Sequence, residues 1–179
     1  MKPDFKQVLW ENFAASIDML KDVIQICPDD LWEKDRQFFY MAYHTVIFMD
    51  YYLTYPVTDF EPQLPYTLLP FENLPPGAID DVIPNRHYQQ SEMLAYIAHI
   101  RNKCAALIGP GSTQNLEEQW IEPSAIELHG LCPSLVEEYT ILEILFYNFR
   151  HVQHHVGQLN LLLRTKAGRA ADWIARAGV

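Results

Sequence analysis

The sequence predicts an all-α fold: a four-helix bundle with long connections between helices 2 and 3 and between helices 3 and 4. Three observations predict it. Four segments place apolar residues at helical spacing. No stretch carries a convincing strand pattern or an internal repeat. The breaks between the segments fall at proline and glycine clusters. The 179 residues suit one domain, taken as residues 1–179, which is long enough to bury a real core.

The first helix is expected from Asp4 to Cys27, with Val8, Leu9, Phe13, Ile17, Leu20, Val23 and Ile24 on its apolar face. Pro28 ends it, because proline cannot continue the backbone ladder. Pro28-Asp29-Asp30 reads as a turn with a capping residue, leading into a short segment around Leu31-Trp32. The second helix is expected from Arg36 to Leu53. It is apolar nearly all round, which suits the middle of a bundle.

Residues 54–84 change character. Pro56, Pro62, Pro65, Pro70, Pro75, Pro76 and Pro84 leave no helical period intact. Phe60, Tyr66, Leu68, Leu69 and Phe71 are too apolar for a free linker, so an ordered loop is expected, serving as a lid or cleft wall. A third helix follows from Asn85, its expected N-cap, to Ile108, with Met93, Leu94, Ile97, Ile100, Cys104 and Leu107 inward. Gly109-Pro110-Gly111 stops it, and residues 112–132 form the next connection. The fourth helix is expected from Ser134 to Thr165, ended by Gly168. Ala170 to Ala177 would add one short helix, docked by Trp173 and Ile174.

Composition narrows the function. The net charge of −10, with no basic run against it, argues against a nucleic-acid partner. The most apolar segment, Phe38 to Met49, is shorter than the ~18–20 residues a membrane span needs, and the N-terminus lacks a signal-peptide pattern. Cys27, Cys104 and Cys132 are odd in number and widely spaced, which suits a reducing, cytoplasmic setting rather than a disulfide framework.

The histidines carry the chemistry. His151-Val152-Gln153-His154-His155 lies on the fourth helix, and residues four apart stack on one helical face. His151 and His155 can therefore converge on one ion, as the two histidines of H-E-x-x-H helices do. Rotation by ~100° per residue turns His154 toward the polar side, as a residue behind the ligands or at the surface. A third ligand is wanted from another helix. His44, inside the most apolar one, suits it, since a buried imidazole must satisfy both ring nitrogens. His87 and His99 are expected to be exposed on the third helix, and His129 to lie on a loop within possible reach of the site. A simply hydrogen-bonded His44 and solvated helix histidines are the bland alternative.

The stretch His151-Val152-Gln153-His154-His155-Val156-Gly157-Gln158-Leu159 resembles the last-helix motif of the DinB-like superfamily, which includes YfiT-type proteins. That motif reads His, two residues, His-His, then commonly Arg-Gly-Gln. Here Val156 replaces the arginine. His44, ahead of Tyr51-Tyr52-Leu53, matches the family's first metal-binding position, and helix order and length agree over most of the chain. The proline-rich loop is less typical of the family. The resemblance implies a four-helix bundle with one divalent ion, zinc or nickel, on His44, His151 and His155. It also implies a homodimer, and a low-molecular-weight thiol as co-substrate of a transferase. A metal-dependent small-molecule transferase or hydrolase is the leading functional expectation. A non-catalytic or stress-related metal-binding protein is the alternative. Glu143 and Asp50 have the chemistry of a general base, but the sequence does not place either beside the ion.

Overall fold

The four long helices begin where a side chain satisfies a free N–H group at the helix start. The computed structural model describes residues 4–177, so the ends of the expected 1–179 domain lie outside the described residues. The Asp4 carboxylate accepts from the Lys6 and Gln7 amides and starts α1, Phe5–Gln25. The short α2 spans Asp29–Lys34, where a turn and a brief segment were expected. Asp35 accepts from the Phe38 amide and starts α3, Arg36–Tyr52. Glu92 reaches back to the Gln89 amide at the start of α4, Gln90–Ile108. Thr140 and Glu143 cap α5, Ile141–Ala167, reciprocally.

Two helix starts differ from expectation. Asn85 does not cap α4; its side chain accepts from the Thr67 hydroxyl across a small sheet. The last long helix starts at Ile141 rather than Ser134, because the capping box at Thr140 is the stronger start signal, and residues 134–136 make a single 3-10 turn. Leu135, which falls inside the expected helix, is accordingly exposed. Gly168 closes α5 in the left-handed conformation at φ 65°, and the Arg169 amide bonds back to the Leu163 carbonyl.

α1 packs against α4 and α5, and α3 packs against α5 and α4. α3 and α5 run antiparallel. Asn148 donates to the Met49 carbonyl near one end of the seam, and Lys166 pairs with Asp35 near the other. Phe13, Ile17 and Leu20 of α1, Phe38 and Ile47 of α3, Ile100 and Cys104 of α4, and Leu145 and Leu159 of α5 meet in one core. Each Phe, Leu or Ile buried this way contributes roughly 1.5–3 kcal/mol. Among the described residues no helix is long and apolar enough to cross a membrane.

The connection after α3 holds two three-residue strands that the sequence reading did not find. β1, Tyr66–Leu68, pairs antiparallel with β2, Val82–Pro84. Strands this short, bracketed by prolines, leave no alternation to detect. Phe60 and Leu64 are buried beneath this segment, and Tyr43 donates to the Leu64 carbonyl. Leu68 and Phe71, expected to be covered, are exposed. The expected C-terminal helix is absent. Residues 170–177 run as an irregular strap, tied by the Ala171 amide to Asn160 and by the Ala177 amide to the Glu11 carbonyl. Eight residues are too few to nucleate a helix without a packed face. Ile174 packs on the core, but Trp173 stays 74% exposed.

Candidate metal centre

The α3–α5 seam carries His44 on one side and His151 and His155, one turn apart, on the other. The seam register places His44 opposite both. His44 Nε2 lies 2.9 Å from His151 Nε2. Ring centroids are 4.8 Å apart for His44 and His155, and 4.6 Å for His151 and His155. One ligating nitrogen from each falls within 4.8 Å of the others, the only such grouping of metal-capable side chains among the described residues. His154 is exposed and outside the group, as helical rotation required.

Neighbours fix two of the ring orientations. His44 Nδ1 sits 2.8 Å from Asp80 Oδ2, and a carboxylate only accepts, so Nδ1 carries the proton and Nε2 turns its lone pair into the seam. His155 Nδ1 lies 2.7 Å from Gln158 Oε1, which leaves its Nε2 free in the same way. His151 Nδ1 is buried without a partner. Burial, and then His44 and His155, hold the His151 imidazole far below its ordinary range, down to about 2. Burial and then His44 hold His155 down to about 4. Both rings are therefore neutral at physiological pH, the state in which imidazole ligates metal.

These donors fit a divalent ion. Two neutral imidazole nitrogens 2.9 Å apart, in low dielectric, repel one another unless a cation or a shared proton lies between them. Zinc with Zn–N bonds of 2.0–2.1 Å would set its ligands about 3.3 Å apart. The observed spacings bracket that value, so a small ring movement seats all three.

The other candidates have different duties. Glu143 caps α5, and Asp50 is fully buried against Lys103 and Tyr96. Neither stands at the histidines. His99 is exposed as expected. His87 corrects the expectation: it precedes α4 and is half-buried, its ring 4.0 Å from that of Phe39 and packed edge-on to Trp32. Its position before the helix, rather than on it, puts it under α2. His129 is held by the Val57 carbonyl, with its ring against Phe60, and does not join the site. The cysteines are unpaired, and burial raises the Cys27 thiol to about 12 and the Cys132 thiol to about 11, so neither is a ready thiolate.

Sequence reasoning missed Asp80 and Gln158. Gln158 had a signal, since it follows His155 by three residues on the same helix. Asp80 had none, because nothing in the proline-rich segment fixes where its side chain falls. Comparison with family models, with curated proteins and with solved structures returns no match to this chain.

Proposed function

We propose that this chain is a divalent-metal protein that holds one ion, zinc or nickel, on His44, His151 and His155, and uses it to act on a small molecule as a transferase or hydrolase. The carrying observation is the convergence of one nitrogen from each of three imidazoles within 4.8 Å of one another, in a seam where His151 Nδ1 is left without a hydrogen-bond partner. We further propose that the helices form a four-helix bundle of the DinB-like kind, assembled as a homodimer. The mutual packing of α1, α3, α4 and α5 supports the bundle, and the resemblance around His151–Leu159 supports its DinB-like kind and the homodimer.

When bound, an ion with three neutral ligands keeps its double charge and supplies Lewis acidity at its open position. His44, His151 and His155 bind it, and Asp80 and Gln158 orient two of the rings. Phe48, its ring 4.7 Å from that of His44 and 5.9 Å from that of His151, makes an apolar wall. An anionic head group, such as the thiolate of a low-molecular-weight thiol, suits a net positive centre backed by aromatic carbon. A second reading, metal binding without turnover, draws on the enclosure of the site: His155 is only 8% exposed.

The test is metal analysis of the purified, untagged protein. The expected result is one equivalent of divalent ion per chain. Most of it should be lost in His151→Ala and in His44→Ala, and little in His154→Ala. Equal loss from His151→Ala and His154→Ala, or full retention in His44→Ala, overturns the assignment.

A further inference from the structure

Asp80 reaches the metal centre from outside both ligand helices. Pro75-Pro76-Gly77-Ala78 forms a turn, with the Ala78 amide donating to the Pro75 carbonyl at 3.1 Å. Proline and then glycine with positive φ, here φ 90°, is the residue pattern of a type II turn. The turn lies against the start of α3. A Cβ on Gly77 would stand 3.0 Å from the Gln37 backbone nitrogen and 3.2 Å from Arg36 Cβ. Gly77 is therefore needed twice, for its conformation and for the close approach. Three residues on, Asp80 uses both carboxylate oxygens. Oδ2 meets His44 Nδ1, and Oδ1 accepts from the Val82 amide at the start of β2. The strand pair anchors one side of this carboxylate and the turn anchors the other.

We propose that Asp80 is a positioning residue for the metal ligand His44, and that Gly77 sets its place. Resting on the three-histidine reading above, this assigns a duty in that site to the proline-rich segment. The carboxylate locks the His44 tautomer that turns Nε2 toward the ion, and it strengthens that nitrogen as a donor. It also makes the site tripartite: two helices supply the ligands, and the connection between α3 and α4 supplies the charge behind one of them.

The experiment measures zinc affinity by chelator competition, and the visible spectrum of bound Co²⁺, on the full untagged chain. Asp80→Ala should weaken zinc binding by about ten- to a hundredfold. Asp80→Asn, which keeps an accepting oxygen but no charge, should fall in between and report on folding, since it is nearly isosteric. Gly77→Ala should weaken binding in the same direction. Two double variants separate positioning from a merely structural role. Asp80→Ala should cost no further affinity when His44 is already alanine, and Gly77→Ala none when Asp80 is already alanine. Wild-type affinity in Asp80→Ala, or full additivity in either pair, overturns the proposal while leaving the three-histidine reading intact. Failure of the wild-type chain to bind zinc or Co²⁺ removes both.

Discussion

Two polar clusters sit on α3, six residues apart, and they are built on opposite principles. Around Asp50 the protein closes its own account. The carboxylate is fully buried, yet it accepts from the Tyr96 hydroxyl and the Lys103 ammonium, and Lys103 also donates to Thr54. Opposite charges meet, and every strong group has a partner. Around His44 the protein assembles three imidazoles of the same character. Their outer nitrogens are served by Asp80 and Gln158 in two cases, while their inner nitrogens face one another. A buried polar group without a partner costs free energy of folding. The Asp50 cluster is explained by the fold it stitches together, whereas the histidine cluster keeps one buried nitrogen, His151 Nδ1, without a partner.

The sharpest way to break this contrast is to remove Lys103. Lys103→Met would leave Asp50 buried beside Tyr96 with no charge to balance it. Stability should fall by about 3 kcal/mol, at the low end for such pairs because the ammonium is partly solvated. Urea denaturation reads this directly. Zinc affinity should stay unchanged. A weakened zinc site in this variant would show that the two clusters are coupled rather than independent.

A second test separates the clusters by pH. In the metal-free chain, His151 and His155 stay neutral when folded, held to about 2 and about 4, but titrate near their ordinary 6.5 when unfolded. Between those values the unfolded chain binds protons that the folded chain refuses. Their contribution is therefore fully present above about 6.5 and lost progressively as pH falls below it. The urea midpoint of the metal-free protein should drop from pH 7.5 to pH 5, and the drop should be shallower in His151→Gln. An identical pH dependence in wild type and variant would mean that the seam accepts a proton when folded.

How much of this was legible beforehand follows from where each residue's position is decided. His151 and His155 were readable because a helix fixes the relative direction of residues four apart, and His154 was set aside on the same ground. His44 was readable because an imidazole in the most apolar helix needs a reason to be there. Asp80 was not, since its place depends on a turn at Gly77 and on a strand pair of three residues, neither visible as a period. The long helices were found from their stripes, but the starts of α4 and α5 were misplaced. At Asn85 a good capping residue was taken up by Thr67 in the sheet, so a local propensity yielded to a tertiary contact. At Thr140 the signal was in plain view, as Thr-Ile-Leu-Glu is a capping box, and the apolar Leu135 drew the boundary upstream.

That capping box permits the finest test, because it lies on the same helix as two of the ligands but several turns before His155. Thr140→Ala removes the hydroxyl that accepts from the Glu143 amide and donates to the Glu143 carboxylate, leaving only the bond from the residue-140 amide to that carboxylate. The expected loss is about 1 kcal/mol of stability. Fraying should stay within the first turn, since Ile141, Ile144 and Leu145 anchor the helix to the core immediately beyond it. Zinc affinity should therefore hold while the urea midpoint falls. If affinity fell with stability, α5 would be transmitting disorder from its first turn to His151, and the site would depend on the rigidity of the whole helix rather than on the seam around His44.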